Sequence, residues 1–248
     1  MKKFLHLLLL AAASLSLVPA MQSCGDDGYS LGSFTTPQWA TVRMHGASFY
    51  FDSDAWGTLW PVNTDLYWYK PVDGQRVITS FTPLADNFEG FDHAVKVLTL
   101  QDVLTKQVET LTTDNDSLLG RDSLLILQGD VGISGGYMNL VFQQNLPLSN
   151  KHRISLVRAE ADSLTYDAEG YVNLELRYND YDDLTGRYQP AAVSFNLNSL
   201  DITPDTRGIR LRFNSVVNGA VTLDFDFASA GMDGEAIRNA DFSQMQLE

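Results

Sequence analysis

Gly208-Ile209-Arg210-Leu211-Arg212-Phe213-Asn214-Ser215-Val216-Val217-Asn218-Gly219-Ala220-Val221-Thr222-Leu223-Asp224-Phe225-Asp226-Phe227 is a β-hairpin written in sequence. Ile209, Leu211 and Phe213 alternate with Arg210, Arg212 and Asn214; Val221, Leu223, Phe225 and Phe227 alternate with Thr222, Asp224 and Asp226. A period of two places one set of side chains on each face, so both runs are strands with an apolar inner and a polar outer face. Asn218-Gly219 supplies the left-handed backbone that a tight hairpin turn needs. The same alternation runs through Val172, Leu174, Leu176 and Tyr178, and through Val193, Phe195 and Leu197. Glu169-Gly170, Thr185-Gly186 and Pro204-Asp205 punctuate the runs. Antiparallel strands at this spacing predict a β-sandwich, and with no strong amphipathic helix in view the fold class is all-β.

Towards the N-terminus the pattern is less regular. Thr41 to Phe51, Asp65 to Lys70 and Arg76 to Phe81 read as strands, with Pro71-Val72-Asp73-Gly74 as a turn between the last two. Val95 to Leu111 is either a bent strand pair or partly helical. The polar run Thr112-Thr113-Asp114-Asn115-Asp116-Ser117 interrupts no strand pattern and is the expected domain boundary. Glu235 to Phe242 reads as a short terminal helix. The expected organisation is a leader over 1–23, a tether over 24–34, one β domain over 35–113 and a second over 114–248.

The leader is marked by Lys2 and Lys3 ahead of an apolar stretch from Phe4 to Ala20, with polar sequence rather than a basic flank after it. That order is an export signal, and a buried N-terminal helix is the weaker reading. Met21-Gln22-Ser23-Cys24 resembles the loose lipoprotein box of Bacteroidetes, which implies lipid on the Cys24 sulfur and cleavage before it; a free cysteine near an ordinary cleavage site is the alternative. Each buried methylene is worth about 0.8 kcal/mol, so two or three acyl chains anchor stably where one does not. The acidic stretch Gly25-Asp26-Asp27-Gly28 resembles a surface-export tag; a plain solvated tether is the alternative. The expected location is the outer membrane, on its cell-surface or its periplasmic face.

Of the 248 residues 44% are hydrophobic, enough to build a core, and the net charge is −14. Loss of Lys2 and Lys3 with the leader makes the chain two units more negative. A polyanion is repelled by that field, so nucleic acid is not an expected partner. One cysteine excludes an internal disulfide and any multi-cysteine zinc site. No cofactor is expected.

Several motifs fit by letter and fail by context. Gly132-Ile133-Ser134-Gly135-Gly136 matches G-x-S-x-G, but that nucleophile elbow needs a helix after the serine, and Tyr137 to Phe142 reads as another strand. Ser134 is therefore expected in a glycine-rich turn or bulge. Asp180, Asp182 and Asp183 could offer oxygen ligands to calcium, but the EF-hand spacing fails at Leu184, and Asp114, Asn115 and Asp116 fail likewise at Leu118. A solvated acidic turn is the expectation for both. His45, His93 and His152 show no metal-ligand spacing, and no catalytic or metal site is assigned.

One composition is unusual. Phe49, Tyr50, Phe51, Trp56, Trp60, Tyr67, Trp68 and Tyr69 fall within 21 residues. Read as a strand, Leu66 to Lys70 puts Tyr67 and Tyr69 on one face and Leu66 and Trp68 on the other. One set fills a core; the other faces out, where aromatic rings stack on sugars or bases. Tyr67, Tyr69, Trp56 and Trp60 are the candidate ligand-binding residues, against the alternative that all are core or interface.

The leader, the aromatic-rich N-terminal β module and the run from Ser123 to Leu140, with Gly135-Gly136-Tyr137-Met138-Asn139-Leu140 as its most specific part, resemble the NigD-like proteins of Bacteroidetes. Gln189-Pro190-Ala191-Ala192-Val193-Ser194-Phe195 adds to the likeness. The resemblance implies a small OB-like barrel followed by an antiparallel β-sandwich. It links the chain, by gene neighbourhood, to bacteriocin production or immunity, and brings no catalytic residues. The functional expectation is a lipid-anchored, non-catalytic binding module for a protein or a glycan. A bacteriocin-associated or immunity-like protein is the alternative, and a hydrolase ranks last.

Overall fold

A computed structural model describes residues 35–127, 129–147, 151–159, 166–200 and 202–227. The leader, Cys24, the tether and the expected terminal helix at Glu235 to Phe242 lie outside the described residues. Among those described, no helix is long and apolar enough to cross a membrane.

The first module is a closed five-stranded barrel in the order β1 (Gln38–His45), β2 (Ser48–Ser53), β3 (Gly57–Pro61), β5 (Phe91–Asp102), β4 (Arg76–Phe88). The expected strand from Thr41 to Phe51 is a hairpin instead. Gly46 at φ +63° turns the chain, and Val42 then pairs with Phe51. β4 and β5 are long and carry register shifts between Ser80 and Phe81 and between Pro83 and Ala85. Such bulges bend a ribbon enough to close it, and Pro83 at one of them has no amide hydrogen to donate. Val42, Phe51, Leu59, Val77, Phe81 and Val95 are fully buried inside.

The stretch from Val95 to Leu111 is strand interrupted at Val103 and Val108, with no helical part. After β5, Val103 donates to the Arg76 carbonyl at 2.9 Å, and then the chain leaves the barrel. β6 (Leu104–Gln107) pairs with β12 (Arg187–Asn196), and β7 (Glu109–Leu111) pairs with β10 (Arg153–Ala159), both in parallel. These two strands belong to the second module, one in each of its sheets. The passage between modules is therefore at Val103, not in the polar run 112–117. That run is polar for a different reason. Asn115 Oδ1 accepts from the Thr112 amide at 2.8 Å, and a single-turn helix α1 (Asp116–Leu119) follows with Leu119 buried.

The second module is a sandwich. One sheet runs β14 (Gly219–Asp226), β13 (Gly208–Ser215), β11 (Tyr171–Asn179), β10, β7; the other runs β6, β12, β9 (Tyr137–Leu146), β8 (Val131–Ser134). The β13–β14 hairpin forms as its sequence predicts, Leu211 opposite Leu223. The expected antiparallel arrangement holds for the hairpin neighbours, whereas β11–β13 is parallel, like the β6 and β7 pairings. Leu140, Phe142, Ile154, Leu156, Leu211 and Phe195 interdigitate between the sheets. Burying each such side chain is worth about 1.5–3 kcal/mol.

Candidate binding surface

Two polar and aromatic constellations sit on this frame. The first is the joint between modules. Arg76, fully buried at the start of β4, donates to Asp54 Oδ1 at 2.8 Å and to Oδ2 at 2.5 Å. It also reaches Thr41 Oγ1 at 2.9 Å in the barrel and Asn139 Oδ1 at 3.2 Å in the sandwich. Ser134 Oγ donates to Asp54 Oδ2 at 2.5 Å, Asn139 Nδ2 donates to Ser134 Oγ at 2.9 Å, and Ser194 Oγ donates to Asn139 Oδ1 at 2.6 Å. The guanidinium lies 5.0 Å from the Tyr137 ring centre and 5.5 Å from that of Trp39. Tyr137 in turn donates to the Gly74 carbonyl at 2.9 Å.

The glycines of this segment follow from the joint. Gly135 has φ +59°, and a methyl on it would sit 2.6 Å from Asp54 Oδ1. Ser134 is thus placed, as expected, before a glycine turn between β8 and β9. Its partners are a carboxylate and an amide, not an imidazole. Its hydroxyl is spent on the joint, which is where the Gly-Gly-Tyr-x-Asn-Leu run also points.

The second constellation is aromatic and lies at the barrel rim. Asp65 to Lys70 is not a strand. The Tyr69 amide donates to the Leu66 carbonyl at 3.0 Å, which makes 66–69 a β-turn with Tyr67 and Trp68 at its centre. Strand parity does not apply in a turn, so the grouping of Tyr67 with Tyr69 gives way to another. Leu66 and Tyr69 point inward and plug the barrel end, Tyr69 packing 5.5 Å from the Phe49 ring. The Tyr69 hydroxyl donates to Asp102 at 2.9 Å. Burial, and then the nearby Asp102 charge, pushes that phenol above its ordinary range. Tyr67 is 90% exposed and Trp68 56% exposed.

Both flanks of the turn are pinned. Asn63 exchanges bonds with Val97 on β5, donating at 3.0 Å and accepting at 2.6 Å. Downstream, Asp73 accepts from the Met44 amide at 2.9 Å, and the Gly74 amide donates to Val42 at 2.9 Å. The two outward rings are therefore held on a fixed base.

The other two candidates lie elsewhere. Trp56 packs edge-on against Phe81 at 5.5 Å and His93 at 5.4 Å. Trp60 stacks on Phe91 at 4.7 Å in a half-buried knot completed by His45 and Tyr50. Tyr67, Tyr69, Trp56 and Trp60 do not share one platform, and Trp68 joins Tyr67 on the outer side of the turn.

The acidic and histidine candidates are local structure. Asp180 Oδ1 accepts from the Asp182 amide at 2.9 Å and Asp183 Oδ1 from the Thr185 amide at 3.1 Å, in a turn where Tyr181 and Asp182 have positive φ. Burial, with the Asp122 charge behind it, raises the Asp180 carboxyl above its usual value. His152 is buried, its Nδ1 2.5 Å from the Tyr178 hydroxyl and its Nε2 2.9 Å from the Asp183 carbonyl. His93 bonds Asp86 at 2.6 Å on the barrel. Among the described residues no three of His, Cys, Asp and Glu are grouped to hold a metal.

Residues 39–103 match the profile of the NigD-like N-terminal OB domain, and residues 107–227 that of the NigD-like C-terminal β-sandwich domain. The chain belongs to the NigD-like family. A Bacteroides vulgatus protein of unknown function has a similar solved structure, with a TM-score of 0.71, 25% identity, and 84% of this chain and 100% of that one covered. A conjecturally toxin-related protein of Parabacteroides distasonis is 30% identical with a TM-score of 0.64, over 78% of this chain and 94% of that one. A NigD-like immunity protein of Bacteroides caccae shares the fold, with a TM-score of 0.54 at 14% identity, over 79% of this chain and 93% of that one. No curated protein matches the chain. The two NigD-like profiles meet between residues 103 and 107, where the chain passes from barrel to sandwich.

Proposed function

We propose that this NigD-like chain is an exported lipoprotein of the cell envelope, anchored through Cys24 in the outer membrane, and that it works as a non-catalytic binding module for a protein or a glycan. The observation that carries the binding reading is the pinned turn that exposes Tyr67 and Trp68. Tyr and Trp are the side chains over-represented among residues that dominate binding energy, and a fixed base reduces the ordering cost of using them. Tyr67 is almost wholly in water, and Trp68, which packs edge-on against Tyr69 at 5.8 Å, is more than half exposed, so most of their surface is left for a partner. The anchor reading rests on the leader and Cys24. Mass spectrometry of the native protein tests it: a diacylglyceryl thioether on Cys24 is expected, and a bare thiol or an uncleaved leader refutes it.

The binding reading is tested with the mature chain on a panel of envelope glycans and secreted proteins. At least one component is expected to bind the wild type and not the Tyr67→Ala/Trp68→Ala variant. A panel on which both proteins behave alike counts against it.

An immunity-like role is the second reading, favoured by the resemblance to the conjecturally toxin-related protein of Parabacteroides distasonis. Deleting the gene is then expected to sensitise the cell to a cognate toxin, and an unchanged killing curve counts against it. A hydrolase has the least support, because Ser134 meets only Asp54 and Asn139.

A further inference from the structure

The sandwich has an open seam. β14 and β8 are the last strands of the two facing sheets, on the same side of the module. The segment at Leu124 and Leu125 bridges to both sheets, Leu124 opposite Ser215 and Leu125 opposite Gln143. Next to it a cavity of about 440 Å³ lies between Val131 of β8 and the β13–β14 hairpin. Val131 and Phe213, both buried, form part of its wall. Ile126 and Leu127 line one side, and Val221, Leu223 and Phe225 of β14 the other. The cavity is open to solvent on one side and is not an internal packing void. It falls within the range of roughly 300–1,000 Å³ found for small-ligand sites.

The electrostatics select the occupant. Among the described lining residues the ionisable one is Asp224, and its carboxylate is taken by Arg210, at 2.8 Å from Nε and 2.9 Å from Nη2; the neighbouring Asp130, itself buried, accepts from the Leu127 amide at 3.3 Å. Ser215 Oγ already accepts from the Val217 and Asn218 amides at 3.2 and 3.3 Å. Among the described lining residues no unpaired charge faces the cavity. A charged ligand would lose its hydration here without a counter-charge, whereas an apolar one loses nothing. We infer that the seam between β8 and β14 is a binding site for a small, uncharged, apolar molecule, such as a hydrocarbon chain or an aromatic ring system. This site is separate from the Tyr67–Trp68 turn, and either can fail without the other.

The test uses the full mature chain carrying Cys24→Ser, so that no anchor lipid competes. The probes are uncharged N-phenylnaphthylamine and the anionic anilinonaphthalene sulfonate. The uncharged probe is expected to bind at one site, at least tenfold tighter than the anion, and Val221→Trp, which fills the cavity, is expected to weaken it at least tenfold. Hydrogen exchange on the unmodified sequence provides a readout that needs no cavity variant. Saturation with the uncharged probe is expected to protect β14 and the amides around Leu127 and Val131. Absence of binding, equal binding of both probes, or protection confined to the barrel overturns the inference. So does a tenfold gain on removal of residues 228–248, since it would make the chain's own C-terminal segment the occupant.

Discussion

The joint between modules and the rim of the barrel put polar and aromatic groups to opposite uses. At the joint, Arg76 is buried, and five polar side chains from both modules surround its charge or one another. Its aromatic neighbours Trp39 and Tyr137 are themselves packed away. At the rim, Tyr67 and Trp68 stand in water on a turn whose own bonds are already made without them. The joint uses its residues to hold two domains in register. The rim leaves most of two large aromatic surfaces outside the fold, Trp68 touching it edge-on at Tyr69. Substitutions at the joint should therefore cost stability and spare binding, and those at the rim the reverse.

The largest effect is expected from Asp54→Ala, which leaves the Arg76 charge buried without its carboxylate. Removing one partner of such a pair costs about 3–5 kcal/mol, to be read from urea unfolding of the mature chain. A loss below about 1 kcal/mol would show that the joint is dispensable and would break the contrast. Gly135→Ala comes next. It combines a positive φ with the approach of a methyl to Asp54, and a cost of about 1–3 kcal/mol is expected in the same assay.

A smaller effect separates the two sheets of the sandwich from the joint. Burial works to raise the Glu109 carboxyl, but the Ser155 hydroxyl and the charges of Lys106 and Arg153 prevail and hold it below its usual 4.5. A lowered folded value means stability that is present above the unfolded value and lost as the pH falls through the folded one. The wild type is expected to lose stability as the pH drops below 4.5, and Glu109→Gln to flatten that limb by no more than about 1 kcal/mol, given the partial exposure of the pair. Unfolding midpoints across the acid range check it; an unaltered slope contradicts it. The smallest effect on stability belongs to the rim. Tyr67→Ala and Trp68→Ala should each shift unfolding by less than about 0.5 kcal/mol.

The contrast also marks what the sequence discloses. Strict alternation from Ile209 to Phe227 states strand, face and turn together, because a half-buried strand has only one period compatible with its environment. The strand after Ser134 is legible too, since Tyr137 to Phe142 reads as strand and β9 runs there rather than a helix. The parallel entry of β6 and β7 into two different sheets is not legible, because those strands are three and four residues long and carry too little pattern to declare a partner. The polar run after Leu111 looks like a linker for the same local reason, although Asn115 and Thr112 use their polarity to cap a turn. At the rim, Leu66 to Lys70 has the composition of a strand. Only the Tyr69–Leu66 bond reverses the parity, burying Tyr69 and freeing Trp68, and a tertiary plug of this kind leaves no trace in periodicity. Arg76, the centre of the joint, carries no local signal either, since its meaning depends on Asp54 and Asn139, distant in the chain.

The most direct test compares the wild-type mature chain with the Tyr67→Ala/Trp68→Ala variant against the same bound glycan or protein, at low and at high salt. The account predicts at least a hundredfold loss of affinity in the variant, unchanged unfolding, and wild-type binding that barely responds to salt, because the anchors are rings rather than charges. Affinity that survives the double substitution, or wild-type binding that collapses in salt, would place recognition elsewhere on the molecule.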